Sequence, residues 1–465
     1  MSDYQAIVIG AGPGGYPCGI RLGQLGVKTL VIEKEYWGGV CLNVGCIPSK
    51  ALINASHRFQ EMRHADEIGF VVTGEVSVDA GRLQAWKQTV VDKLTGGVRT
   101  LLKQNKVDML VGTAKLVSRN EVEVVTPEGT RRISADAIVV ATGSSPIEIP
   151  GFRFSDGPIL DSTKALALPT IPKRMVVIGG GYIGLETGGV YARLGTAVTV
   201  VEMLDQLLPG FDPDVVKVIE RRMKKEGTAW HLKTKALGWE QTDDGIVVHV
   251  ETPDGKQDLR CDVVLVTVGR RPNTRDLGLE GLGVEMSGPF VKVDAKMRTS
   301  VPGVYAIGDI VGNPMLAHKA THEGEVCAEV IAGKPVEFDA KTIPAVVFTD
   351  PEIAVAGLTE PEARAKGLDI KVGKVPFAAI GKAIANNATD GFVKVVIDAQ
   401  SKLILGVTIV GAHASDIISE AALAIEMSAE ALDVGLTIHP HPTLGESVME
   451  AAKAALGEAI HIVNR

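Results

Sequence analysis

The chain has 465 residues, 45% of them hydrophobic and 22% charged, with 52 glycines that fit a turn-rich globular protein; at this length roughly three or four domains are expected, since one core does not grow so large. A formal charge of -8, from 48 basic and 56 acidic residues, and the lack of any basic run interleaved with aromatics speak against a nucleic-acid partner. No stretch reaches the ~18 uncharged apolar residues of a membrane span, and no basic leader precedes the first apolar run, so the expected location is the cytoplasm, with no membrane partner.

The first predicted strand, Gln5 to Ile9, runs into Gly10-Ala11-Gly12-Pro13-Gly14-Gly15 and a helix to about Gly26; a second strand, Lys28 to Ile32, ends on Glu33. Gly10, Gly12 and Gly15 form GxGxxG, and the acid lies 18 residues past the last glycine. Glycines here, Gly14 included, let backbone N–H groups approach a pyrophosphate at the positive end of the helix, while the acid can accept hydrogen bonds from a ribose diol. One such turn alone serves close helix–strand packing equally well.

Two of only five cysteines follow in "GGVCLNVGCIPSK", at Cys41 and Cys46. Five cysteines are too few for a secreted disulfide framework, and in a reducing compartment a bonded pair points to catalysis or redox sensing. Taken alone, the pair fits either two buried, unbonded thiols or a redox couple. Five extended residues span about 17 Å, whereas a disulfide needs Cα atoms within ~4.4–6.8 Å, so bonding requires an irregular curl, which Gly45 permits. Pro48 suits the first turn of a helix and places Cys46 just before a helix N-terminus, where the partial positive charge favours a thiolate.

After the turn-rich exit Ala141-Thr142-Gly143-Ser144-Ser145-Pro146, the first pattern returns 169 residues downstream. Arg174 to Ile178 leads into Gly179, Gly181 and Gly184, a helix to about Leu194, and a strand Ala197 to Val201 ending on Glu202, again 18 residues past the last glycine. Two copies in the same context imply two dinucleotide sites. A carboxylate at the end of the second copy would repel a 2'-phosphate, which favours NAD. Gly269, in "VGRRPN", marks the exit from this unit, and Val304 to Ile307 before Gly308-Asp309 reads as another buried strand ending on an acid.

From about Lys341 the texture changes to strands at Ala345–Asp350, Phe392–Asp398 and Leu403–Gly411, then helices at about Asp416–Ala431 and Thr443–Ile460, an α+β pattern. His441 stands between Pro440 and Pro442, whose rings restrict its backbone. Glu446 can hold that imidazole, or it can close a capping box with Thr443; both readings stay open. His439 reads as structural.

These segments together resemble the pyridine nucleotide-disulfide oxidoreductases over essentially the full chain. The matching residues are the Gly38–Lys50 string, Gly10–Gly15 with Glu33, Ala141-Thr142-Gly143, Gly179–Gly184 with Glu186 and Glu202, Gly308-Asp309, and "HPHPTLGE" from His439 to Glu446. Within the family, the string is most similar to the branch that oxidises dihydrolipoyl groups. The resemblance implies an α/β fold with two Rossmann-like domains, for FAD at 1–148 and NAD at 149–270. A segment at 271–340 would complete the FAD site, and an α+β dimerisation domain would span 341–465. It further implies a redox disulfide between Cys41 and Cys46, with Cys41 attacked by the substrate and Cys46 facing the flavin. His441 of the other subunit would be the base, Glu446 its support, and Lys50–Glu186 an ion pair beside the flavin.

FAD would then be held by Gly10, Gly12, Gly14, Gly15, Glu33, Lys50, Thr142 and Gly143, with Asp309 on the ribityl chain and Ala317 and His318 in backbone contact. NAD would sit on Gly179, Gly181, Gly184, Glu202 and Gly269. No metal is expected. The implied partners are a second copy of the chain and a lipoyl domain, or the acyltransferase that carries it, from a 2-oxoacid dehydrogenase complex or a glycine-cleavage lipoyl protein. Two other outcomes are a glutathione reductase-like enzyme, disfavoured by Glu202, and a flavin- and NAD-binding redox sensor without efficient turnover. A mercury-reducing branch would need a second cysteine pair near the end of the chain, yet the last cysteine is Cys327. Pro17-Cys18-Gly19 departs from the family pattern, as Val40 and Gly445 do mildly; Pro17 is tolerated in the first turn, and Gly19 is expected to weaken its helix.

Overall fold

A computed structural model of the chain describes residues 2–464. The apolar runs Tyr4–Ile9 (β1) and Thr29–Glu33 (β2) are buried along nearly their whole length, as parallel strands covered on both faces must be. They pair in parallel, Ala6 opposite Thr29 through Ile9 opposite Ile32, and Asp108–Val111 (β3) extends the sheet beyond β2. Thr113–Ser118 (β4) and Glu121–Thr126 (β5) form an antiparallel hairpin that feeds Gly129–Val140 (β6), which returns to pair with β1. The late strand Val304–Ala306 pairs with β6 and so belongs to this first sheet.

Helix α1 (Gly15–Gln24) crosses between β1 and β2. The expected penalty at Gly19 has a structural counterpart: a Cβ there would lie 2.7 Å from Val31 Cγ2, so the glycine lets α1 lie close on β2. The cysteine segment also differs from a single irregular curl. Cys41 lies in a short helix, α2 (Gly39–Val44), and the chain breaks at Gly45 with φ -135° and ψ -111°. Helix α3 (Cys46–Arg63) then starts with Cys46 itself as its first residue, rather than one place later. Helix α4 (Ala80–Gln104) packs against α3, and its N-terminus is capped by Asp79, whose side chain accepts from the Arg82 N–H.

The second unit repeats the first. Arg174–Ile178 (β7), Tyr182–Arg193 (α5) and Ala197–Val201 (β8) form its strand-turn-helix-strand, with Arg174 opposite Ala197 and Ile178 opposite Val201. Helix α6 (Pro213–Lys225) follows. An antiparallel meander of Lys235–Thr242, Gly245–Thr252 and Gly255–Cys261 was not anticipated from the sequence. Helix α7 (Ala317–Ile331) returns to the first unit and packs on α1.

The last unit is a five-stranded antiparallel sheet of Ala345–Val347 (β9), Glu352–Gly357 (β10), Ile370–Pro376 (β11), Phe392–Asp398 (β12) and Ile404–Gly411 (β13), in the order β9-β10-β13-β12-β11. Its C-terminal helices are α8 (Ala414–Glu426), α9 (Ala431–Leu436) and α10 (Glu446–Leu456), with α8 and α10 shorter than the sequence implied. Leu423, Met427, Leu436 and Ile460 are exposed here, as is Ile438 at 94%. These exposed apolar side chains fit an interface on this unit. Among the described residues, no helix is long and apolar enough to cross a membrane.

Candidate active site

The two glycine turns match atom for atom. A Cβ on Gly10 would lie 2.4 Å from Ala141 O, and one on Gly15 would lie 1.9 Å from Gly10 O. In the second copy, Gly179 would meet Thr267 O at 2.6 Å and Gly184 would meet Gly179 O at 2.3 Å. Only glycine permits these contacts, and Gly10 and Gly179 also adopt φ +102° and +105°. The acids have a role the sequence did not reveal. Glu33 accepts from the backbone N–H of Ala11 at 2.7 Å and of Glu35 at 2.9 Å; Glu202 accepts from Gly180 at 2.7 Å and Leu204 at 2.8 Å. Each carboxylate ties its own turn to the end of its own strand and keeps lone pairs for a ribose.

The cysteine helix docks on the first turn through glycine as well. Gly39 has φ +65°, and a Cβ on it would lie 2.5 Å from Gly12 Cα. This contact places α2 and the start of α3 against the dinucleotide turn. Cys41 and Cys46 are free thiols, Cys41 partly buried and Cys46 exposed. Cys46 is held down to about 7 by its hydrogen bond from Cys41, aided by the Lys50 ammonium and opposed by burial and by Glu186. The Cys41 thiol is pushed well up by the same hydrogen bond and by burial. The pair is thus polarised, with the charge on Cys46 at the positive end of α3.

Lys50 lies one turn further along α3 and donates to Glu186 Oε2 at 2.8 Å; the Glu186 side chain is 6% exposed. The expected ion pair is therefore formed, between elements 136 residues apart. Asp309 accepts from the Ser144 hydroxyl, and Arg270 Nε donates to that hydroxyl at 2.8 Å. Ala317 opens α7, and His318 beside it has its Nε2 2.7 Å from Pro344 O. Thr142 Oγ1 donates to Asn273 O at 2.8 Å. A Cβ on Gly143 or Gly181 would meet nothing within 4 Å, which leaves backbone open beside each turn, and at Gly269 the nearest atom is 3.6 Å away.

His441 Nδ1 lies 2.9 Å from Glu446 Oε1, while Glu446 Oε2 accepts from the Thr443 N–H at 2.8 Å. One carboxylate thus meets both roles left open by the sequence. The capping box itself is half made, because the Thr443 hydroxyl donates to Pro440 O. Burial pushes the Glu446 carboxyl up, but the Thr443 N–H and the imidazole leave it below the usual carboxylate range. His439 is held between Glu420, 2.8 Å from Nε2, and Thr437 O, 2.8 Å from Nδ1. His441 belongs to the unit around α10, which packs on β11, β12 and α9, whereas the cysteines belong to α2 and α3, which pack on α4 and α5.

Two groups escaped the sequence reading. Lys319 and Glu323 form a buried ion pair at 2.6 Å, and Glu323 Oε2 accepts from the Gly308 N–H at 2.7 Å, fixing the turn that carries Asp309. Phe348 donates its N–H to Glu186 Oε1 at 2.9 Å. Lys319 and Glu323 sit one turn apart on α7, a spacing that could have flagged them; Phe348 carried no local signal.

Fold and site together define a dithiol–disulfide oxidoreductase built around two dinucleotide turns. The sequence profile of the pyridine nucleotide-disulphide oxidoreductases matches residues 4–324, and that of their dimerisation domain matches residues 343–452. The chain belongs to this family. Among its relatives, the dihydrolipoyl dehydrogenase of Bacillus subtilis (strain 168) is 51% identical over 463 residues, covering 99% of this chain and 98% of that protein. The dihydrolipoyl dehydrogenase of Haloferax volcanii is 49% identical, with 99% and 98% covered. Among solved structures, LpdA from Mycobacterium tuberculosis superposes with a TM-score of 0.90 at 28% identity, covering 97% of this chain and 99% of that one. The HOCl-induced flavoprotein disulfide reductase RclA from Escherichia coli, in its Cu(II) complex, gives 0.87 at 26%, with the same coverage. The cofactors are FAD and NAD, and the chain forms a homodimer. The open backbone at Gly143 and Gly181 and the acids Glu33 and Glu202 fit the two nucleotides.

Proposed function

We propose that the protein reoxidises protein-bound dihydrolipoamide to lipoamide and reduces NAD+ to NADH. The observation that carries this reading is the polarised Cys41–Cys46 pair, docked by Gly39 on the first dinucleotide turn. With the pair oxidised, a substrate thiolate attacks Cys41 Sγ, the Cys41–Cys46 bond breaks, and Cys46 leaves as the thiolate that its surroundings stabilise. The second substrate thiol gives its proton to His441 of the partner subunit and attacks the substrate sulfur of the mixed disulfide, freeing Cys41 and releasing the cyclic disulfide product. FAD, when bound, supplies two-electron transfer from the reduced cysteine pair to NAD+. Gly10, Gly12, Gly14, Gly15, Glu33, Thr142, Gly143 and Asp309 would hold the flavin nucleotide, with Ala317 and His318 at the start of α7. Gly179, Gly181, Gly184, Glu202 and Gly269 would hold NAD, and Lys50–Glu186 would lie beside the flavin.

His441 and Glu446 sit on a different unit from the cysteines, which is why a second subunit is invoked to bring base and thiols together. The domains we assign are FAD (1–148), NAD (149–270), central (271–340) and dimerisation (341–465), with Val304–Ala306 of the central segment joining the first sheet. The lipoyl group would be presented by a 2-oxoacid dehydrogenase or glycine-cleavage assembly in the cytoplasm. The test is turnover of dihydrolipoamide with NAD+ by the purified flavoprotein: Cys41→Ser and Cys46→Ser should each abolish it while retaining FAD. Turnover surviving in either variant would overturn the reading.

A further inference from the structure

The ammonium of Lys50 has two partners: Glu186 Oε2 lies 2.8 Å from Nζ, and the ring centroid of Phe348 is 4.2 Å away. The same residue supplies the backbone N–H that binds the second oxygen of Glu186, at 2.9 Å. Phe348 thus fixes both members of the pair, one through its ring and one through its backbone. It is itself packed against the cluster of Leu52, Ile53, Leu166 and Val190, where α3, α5 and the last unit meet. Two residues further on, Asp350 binds Arg222 of α6 and lies 3.8 Å from His57 of α3, pinning the same short segment at a second point.

We propose that Phe348, from the dimerisation domain of the same subunit, is a positioning residue for the redox pair, locking the Lys50–Glu186 ion pair one helical turn from Cys46. A lysine ammonium is strongly hydrated and carries long rotamer freedom, so a salt bridge alone leaves it able to swing toward water. An aromatic face within 4.2 Å of the ammonium reduces that freedom through cation–π attraction. The charges facing Cys46 are then Cys41 on α2, Lys50 on its own helix, Glu186 on α5 and, more distantly, the Tyr182 phenol at the start of α5. Of these only Lys50 is cationic, so its position tunes how readily Cys46 ionises, beside the hydrogen bond from Cys41. The unit that makes the dimer thereby acts on the thiolate through the Lys50–Glu186 pair.

The inference rests on the redox role of Cys46 and is tested on it. In Cys41→Ser holoenzyme, the long-wavelength charge-transfer band between the remaining thiolate and FAD titrates with Cys46 alone. Phe348→Leu, and Phe348→Met with its closer volume, should move that midpoint up by about one pH unit, a tenfold loss of thiolate at fixed pH below it. Phe348→Tyr, which keeps the π face, should restore it. A merely structural role would lower thermal stability and leave the midpoint in place. A midpoint unmoved in either the Leu or the Met variant, or one that Tyr fails to restore, overturns the proposal while leaving the proposed function standing. A parent enzyme with FAD bound and no band at any pH would overturn both.

Discussion

Replacing Glu446 with Gln separates the two tasks that this carboxylate performs. The amide oxygen of Gln can still accept from the Thr443 N–H, now at 2.8 Å from Glu446, so the start of α10 stays closed. Its NH2 would then face His441 Nδ1, which lies 2.9 Å from Glu446 Oε1. That geometry favours the tautomer with the proton on Nε2 and removes the anion that would stabilise an imidazolium. A unit charge pair at about 4 Å is worth about 4 kcal/mol at an effective dielectric of 20. The imidazole is 76% exposed on a single chain, so solvent screens much of this. A charged hydrogen bond retains about 2 kcal/mol, equivalent to a loss of roughly 10- to 100-fold in kcat/KM for dihydrolipoamide. The control is reduction of the flavin by NADH in a stopped-flow half-reaction, which should proceed at the parent rate because no proton passes through His441 there. Dihydrolipoamide turnover within twofold of the parent would refute the reasoning and leave Glu446 as a helix cap only.

Gly39→Ala should loosen the docking of the cysteine helix, since its Cβ would lie 2.5 Å from Gly12 Cα at a φ of +65°; about 1–3 kcal/mol is at stake, read as a lower flavin-to-protein ratio after purification. Lys319→Met leaves Glu323 buried without its cation and should cost about 3–5 kcal/mol, seen as a lower Tm and faster FAD loss, with Lys319→Met/Glu323→Gln recovering part of it. Acid should weaken the junction at His57. Burial, with Arg193 and Arg222 against Asp350, holds this imidazole down to about 4, so the folded state refuses a proton that the unfolded chain accepts near pH ~6.5. The stability is complete above that pH and is lost as pH falls from there toward 4; about 2 kcal/mol should go by pH ~5, and His57→Gln should flatten the fall in Tm between neutral pH and that point.

What could be read from the sequence was local. Both strand-turn-helix-strand units, with Glu33 and Glu202 at their ends, are written in contiguous residues, and the strands Arg174–Ile178, Ala197–Val201 and Phe392–Asp398 fall where their apolar runs place them. The meander at 235–261 was missed because its strands mix exposed polar with apolar residues and carry no nucleotide signature. Strands β10 and β11 were missed as short runs between turns. The helix expected from Thr443 starts only at Glu446, because that carboxylate folds back on the residues before it. Phe348 was invisible for a different reason. Its partner Glu186 is 162 residues away, and the bond runs from a backbone N–H that every residue except proline possesses. Long-range packing alone gives that position its meaning.

The central claim is that the Cys41–Cys46 pair carries electrons from a dihydrolipoyl dithiol to NAD+ through FAD. The most direct measurement is an anaerobic visible spectrum of the purified flavoprotein during titration with dihydrolipoamide, followed by NAD+. The account predicts a long-wavelength charge-transfer band, complete at two-electron reduction, marking the Cys46 thiolate beside the flavin and discharged by NAD+. A flavin that stays oxidised and featureless in excess dihydrolipoamide would contradict it.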